Sequence, residues 1–483
     1  MMDLIKMNPG MDIMTTLIKN GTLVTTEKVF SSDILIEGEL IKKIAPTIDP
    51  GGNEETIDAT GKLIMPGGID AHVHLDLPMF GTVSSDDHYT GTKAAAFGGT
   101  TTVIDFISQD EPSLLKNIEL WHAKADLKVA VDFSFHMNVT HLDKSVEQEI
   151  GMLVKEGITS VKVFTAYNNR LRLQDGEILR VMRTAARYGI TTLLHAENGD
   201  VIDLLVAEAL AARHKTPIWH ARTRPAWGAI ESSLRGCALA AIADATIYLV
   251  HMNTAGELDM ASYARQHGVH LAIETCPQYL FFTEEDLKRK DGAKWICSPP
   301  LREAKDVERL WKGLGDGTID VVSTDHCPFF YNGNEPIDYE GKPIRIPGKE
   351  LGREDFTKIP NGLPGVGDRM VTFWTKGVVE KRITPQQFVA LTSTNPAKHM
   401  GLFPRKGCLR PGSDADLVIW DAEREITYGR AWSWQRTDYN LYEGWRLKGF
   451  PEKVFLRGKC IVDGRRWLGK AGGGKFLFRK SLN

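Results

Sequence analysis

The sequence contains no apolar run approaching the ~20 residues that cross a bilayer. It has no block of one charge either: 59 basic against 62 acidic side chains leave a formal charge of -3. A balance so near neutral, without a basic stripe, argues against a nucleic-acid or membrane-surface partner. Cysteine is scarce. The six thiols, Cys237, Cys276, Cys297, Cys327, Cys408 and Cys460, form no Cys-x-x-Cys pair. They read as reduced thiols rather than a disulfide framework. The residues up to Val24 show no basic stretch followed by an apolar core and a small-residue cleavage site. No signal peptide is read, and a cytoplasmic location is expected. Short-period repeats are absent as well. What is present is an ordinary globular composition, 42% hydrophobic and 25% charged, over 483 residues, too long a chain for a single core.

Both ends of the chain read as short strands with turns. Leu17 to Val24 suggests a strand pair around an Asn20-Gly21 turn. Ser32 to Ile44 suggests a hairpin, and Asp414 to Trp420 and Lys453 to Val462 are further strand candidates. The expectation is one small β-sandwich domain built from residues 1–66 and 401–483 around a central insert. Residues 67–400 alternate strand and helix, with strand candidates at 69–73, 101–106, 129–135, 159–164, 190–194, 246–250, 269–274 and 319–324. Eight such units predict a parallel (β/α)8 barrel, an α/β fold.

In such a barrel the active site lies at the C-terminal strand ends. His72-Val73-His74 ends the first candidate strand, and histidines two apart on a strand share a face. Lys162 lies on the fourth strand, His195 and His251 end the fifth and sixth, and Asp325 ends the eighth. Six metal-type or lysine side chains thus point toward one rim. Each also has a plainer reading. Lys162 in an apolar strand could be ion-paired, His195 and His251 could be backbone-bonded core residues, and Asp325 could cap a helix. His136 follows the third strand and His270 falls inside the seventh; both are assigned to the core or to outer support of the site.

Together these residues resemble the dihydropyrimidinase/hydantoinase branch of the amidohydrolase superfamily. The motifs that carry the resemblance are Pro66 to His74, Lys162-Val163-Phe164 with Tyr167, and His195-Ala196-Glu197-Asn198. Further on they are Cys297 to Arg302, Thr324-Asp325-His326-Cys327, Ile359-Pro360-Asn361-Gly362 and Gly412 to Asp416. The resemblance spans residues 17–468. It implies two divalent metals, usually zinc, with His72, His74 and Asp325 on one, His195 and His251 on the other, and Lys162, carbamylated by CO2 to N6-carboxylysine, bridging them. It implies attack by a metal-bridging hydroxide on a cyclic amide, with Asp325 moving the proton and Tyr167 steadying the oxyanion. Ser298 and Asn361 match positions that hold the substrate's ureide edge. Read by themselves, both are turn residues. Glu197 is kept as an outer support for His195. The substrate implied is a small cyclic ureide, the product an N-carbamoyl amino acid, and the assembly a homotetramer.

Two other readings stand beside this one: an allantoinase-like ureide hydrolase, and a non-catalytic scaffold on the same fold. Scaffold relatives lose several ligands, whereas this chain keeps all six. Leu75-Asp76 stands where dihydroorotases carry an arginine. Leu77, Met79 and Phe80 are expected either to contact a ring substituent or to pack as an ordinary loop. Residues 331–348 are longer than the family pattern, and a lid and a surface insertion are both consistent with them. The tail after Gly464 could pack on a neighbouring subunit or fray.

Overall fold

A computed structural model describes residues 15–79 and 81–481. Phe80 lies outside them. The central strands are Gly68–Val73, Thr100–Ile107, Asp132–Asn138, Ser160–Phe164, Thr191–His195, Ile247–Leu249, Leu271–Thr275 and Val321–Val322, called the first to eighth barrel strands. They pair in sequence order, all parallel. A parallel bridge from Val73 to His326 joins the first strand to the segment after the eighth. Parallel neighbours need long crossovers. Helices such as Asp175–Arg187, Ala226–Ala243 and Ala304–Asp316 provide them. Pairing of the first strand slips between Asp70 and Val73, a kind of irregularity that re-aims side chains at barrel rims.

Both chain ends contribute to one mixed nine-stranded sheet. Leu63–Pro66 from the N-terminal side pairs antiparallel with Leu417–Thr427 from the C-terminal side. Its core gathers Ile18, Ile34, Ile36, Ile64, Leu417 and Phe455. The hairpin expected at Ser32 to Ile44 is present as Val29–Glu37 paired with Leu40–Ala45. Asn20-Gly21 does not turn the chain. Thr15–Val24 is a single strand whose register slips there. Asn20 adopts φ 62° and is held by Asp33 and Asp58, while a Cβ on Gly21 would lie 2.3 Å from Ile64. The dipeptide thus serves a bulge.

The sheet is tied to the barrel by a buried ionic cluster. Lys406 Nζ lies 2.6 Å from Asp132 at the start of the third strand, 2.9 Å from Asp414 and 2.5 Å from Asp416, and Arg457 also pairs with Asp132. The C-terminal tail packs on its own barrel. Phe476 bridges to Phe133, Leu477 is fully buried, and Arg479 donates to Ser134, Phe135 and Ser160.

Candidate active site

The strand ends bring the six predicted side chains together. The His72 and His74 rings are 5.2 Å apart, and Asp325 Oδ1 lies 3.0 Å from Nε2 of the first and 3.1 Å from Nε2 of the second. Lys162 Nζ is 3.1 Å from His72 Nε2. His195 Nδ1 and His251 Nε2 face each other at 2.9 Å, and the His251 ring sits 5.5 Å from that of His72.

Hydrogen bonding behind the rings decides what they present in front. His72 Nδ1 is 2.8 Å from Glu274 Oε1, and His195 Nε2 is 3.0 Å from Glu197 Oε2. A carboxylate accepts, so each ring donates there and aims the lone pair of its other nitrogen inward. His72 Nε2 then confronts Asp325 acceptor to acceptor, and the front nitrogens of His195 and His251 crowd one point. Such an arrangement needs positive charge between the donors, and the donor set suits a divalent metal. Burial and the Lys162 charge oppose protonation of His72, but Asp325 and Glu274 outweigh them and raise its pKa, so a proton on Nε2 supplies that positive charge where no metal does. Burial lowers the pKa of His195, and that of His251 further still. It also pulls the Lys162 amine down to about 8 against the carboxylates nearby. His72, His74 and Asp325 could hold one metal ion, each offering one atom within 4.8 Å of the others; Lys162, His195 and His251 stand beside them.

Several supports are absent from the sequence reading. Glu274, on the seventh strand, also accepts from Tyr248 Oη at 2.8 Å and from the His251 main-chain N–H at 3.2 Å. Arg224 donates to Glu197 at 3.0 Å. Burial opposes the charge on Glu197, yet Arg224 and His195 bring its pKa down to about 2. A carboxylate inside an apolar strand was the available signal for Glu274, the same one that singled out Lys162. Arg224, on the segment between two helices, carries no such signal. Tyr167, His251 and Asp325 all take left-handed backbone, at φ 65°, 42° and 53°. Such residues concentrate where a site over-determines geometry.

The cluster lies at the bottom of a cavity of about 510 Å3, in the size range of small-molecule sites. Tyr167, Ser298 and Asn361 line it with His74, Lys162, His195, His251 and Asp325. Burial raises the Tyr167 phenol above its ordinary range, so it remains a donor. Asn361 Nδ2 donates to Ser298 Oγ at 3.1 Å, and His220 Nε2 stands 3.2 Å from the same oxygen. Leu77 and Met79 also line the cavity.

Of the other expectations, those for His136 and for the buried Cys297 and Cys327 hold, that for His270 does not, and residues 331–348 take the surface alternative. His136 has no lone pair to offer a metal, because Ala71 O and Ser160 Oγ occupy both of its nitrogens. His270 precedes the seventh strand, exposed at the opposite end of the barrel, and neither core nor outer support describes it. Among the described residues none of 331–348 lines the cavity. The segment forms a hairpin, Ile337–Tyr339 with Lys342–Ile344, held on the flank by a Lys93–Glu340 ion pair and by a bond from Thr82 to Pro347 O. Cys297 and Cys327 are buried, and burial pushes the Cys297 thiol up to about 12.

A profile of the amidohydrolase family matches residues 63–461. A D-hydantoinase from Geobacillus stearothermophilus is 43% identical over 471 residues, covering 96% of this chain and 97% of that protein. A D-hydantoinase from Rhizobium radiobacter is 42% identical over 470 residues, 97% of this chain and 99% of its own. The crystal structure of a dihydropyrimidinase from Brevibacillus agri superimposes with a TM-score of 0.93 at 42% identity, covering 97% of this chain and all (100%) of the other.

Proposed function

The chain belongs to the hydantoinase branch of the amidohydrolase family, and from that premise we propose that it opens the ring amide of dihydropyrimidines or 5-substituted hydantoins, giving N-carbamoyl amino acids. The observation that carries this reading is the convergence of His72, His74, Lys162, His195, His251 and Asp325 from five barrel strands on one cavity. The family implies a binuclear centre. In this reading His72, His74 and Asp325 would hold one ion, His195 and His251 would hold the other, and Lys162, once carbamylated, would serve both. Its amine, lowered by burial to about 8, is partly in the neutral form that adds CO2. Two zinc ions bound there supply Lewis acidity and make hydroxide available at neutral pH.

The protein's own groups do the rest. Asp325 takes the proton of the attacking hydroxide and returns it to the ring nitrogen as the C–O bond forms and the C–N bond breaks. Tyr167, protonated, donates to the oxygen that gains charge. Ser298 and Asn361 hold the ureide edge. Leu77 and Met79 stand where a ring substituent would extend.

Leu204, Trp227, Leu234 and Ile242 are exposed on Gly199–Ala211 and Ala226–Ala243. They supply apolar surface for the homotetramer. Among the described residues no helix is long and apolar enough to cross a membrane. The same reading divides the chain into 1–66 and 401–483 as the sheet domain and 67–400 as the barrel, and places the enzyme in the cytoplasm.

Metal analysis with hydrolysis assays on dihydrouracil, hydantoin, phenylhydantoin and allantoin tests the reading. Activity on the first three with two metals per chain is expected. A protein inert to all four after incubation with zinc and bicarbonate overturns it, and a preference for allantoin replaces the substrate class. Lys162→Ala is expected to lose activity by orders of magnitude; full activity would rule out the carbamate.

A further inference from the structure

Lys349 is a buried amine for which the chemistry above has no use. It is only 1% exposed, yet among the described residues no carboxylate contributes to its charge balance; the nearby ionisable groups are the Cys297 and Cys327 thiols. Burying a cation without a counter-charge is costly, so the side chain must be held there for its hydrogen bonds. They go to two places. Nζ donates to Ile296 O at 3.0 Å and to Pro360 O at 3.2 Å. Ile296 lies two residues before Ser298, and Pro360 immediately precedes Asn361.

Resting on the reading of Ser298 and Asn361 as the ureide-holding residues, we infer that Lys349 is a positioning residue for substrate recognition, a strut that sets the spacing of the two loops gripping the ring. Outside it, two single hydrogen bonds tie these loops among the described residues: Gly362 N–H to Ile296 O at 3.2 Å, and Asn361 to Ser298. Among the described residues no strand pairing joins them. Burial draws the Lys349 pKa down to about 7. A neutral amine has two N–H donors, and the two carbonyls match that number.

The base of the strut is itself fixed. The Lys349 main-chain N–H donates to Phe330 O at 2.7 Å, and a Cβ on Gly348 would fall 2.0 Å from that same oxygen. In the turn Lys349–Gly352, a Cβ on Gly352 would lie 2.1 Å from Ile359. The strut therefore rises from a close-packed turn and spans both recognition loops.

Lys349→Met replaces the alkyl stem nearly atom for atom and removes the amine with both donors. Loss of ground-state ring binding is expected to raise KM about tenfold with kcat retained, since binding of the ureide edge is common to ground and transition states. In amide hydrogen exchange followed by mass spectrometry, residues 294–299 and 359–363 are expected to exchange faster and the metal-bearing strand ends to be unchanged, at unaltered metal content. Lys349→Gln retains an N–H2 group on a shorter arm and is expected to fall between wild type and Lys349→Met. Unchanged exchange in both segments would overturn the strut. So would exchange rising throughout the barrel with loss of metal, or failure of both variants to fold, since either shows a general structural role. If the wild-type enzyme opens none of the rings, the proposed function falls, and the exchange measurement still decides whether Lys349 ties the loops.

Discussion

At the scale of single residues, the arrangement turns on groups behind the ligands. Glu274 holds His72 by its ring and His251 by its main chain, so one carboxylate orients candidate ligands on both sides of the cluster. Glu274→Gln keeps the shape and loses the charge. Metal affinity is expected to fall about 10–100-fold, the range seen for such supporting groups, measured by competition with a chelator; unchanged affinity would show that packing alone orients His72. His88 provides a second test. Its Nε2 lies 3.1 Å from Asp105 and its Nδ1 3.5 Å from Asp76, beside the cavity-lining loop. Burial opposes its charge, but the two carboxylates raise its pKa from 6.5 to about 9. A raised histidine stabilises most below its unfolded pKa, and the contribution is lost as pH rises through the folded one. Wild type should therefore exceed His88→Gln in stability by up to about 3 kcal/mol at pH 6. The gap should shrink between pH 6.5 and 9, as denaturant melts at each pH would show. A gap independent of pH would place its origin in packing.

At the scale of elements, the insertion and the tail, both polar in composition, behave differently from one another. The 337–344 hairpin is polar and exposed over most of its length and sits on the flank. Replacing residues 336–345 with a short turn is expected to leave kcat/KM for unsubstituted rings unchanged in steady-state assays. A marked drop would restore the lid. The tail matters more. Truncation after residue 470 would strip Leu477 and Phe476 from the barrel and leave Ser134 and Ser160 without Arg479. A lower melting temperature with weakened cooperativity is expected from calorimetry. Hydropathy does not distinguish these segments. Gly472 to Ser481 is glycine-rich and basic, and only the position of Phe133 and of the barrel floor makes it structural.

At the scale of the whole molecule, barrel and sheet are joined through buried charge. Lys406 serves three carboxylates from two parts of the chain. Lys406→Met is expected to cost about 3–5 kcal/mol, since it strands buried carboxylates, read by urea unfolding. A loss below about 1 kcal/mol would mean that Arg457 alone compensates Asp132. Much of this architecture was legible in the chain. Strand-helix alternation, His72-Val73-His74, and ligand-type residues at later strand ends are local patterns, because side-chain period and the barrel's one-rim rule convert sequence position into spatial position. That was enough to determine the barrel, the rim and the six convergent side chains. Tertiary structure alone decided the rest. Whether Asn20-Gly21 turns or bulges depends on Ile64 and Asp33, far along the chain. Glu274, Arg224 and Lys349 gain their roles from partners that only folding brings within hydrogen-bond distance. A hydrogen bond acts over about 3 Å, and no local pattern encodes which distant group will stand at that range.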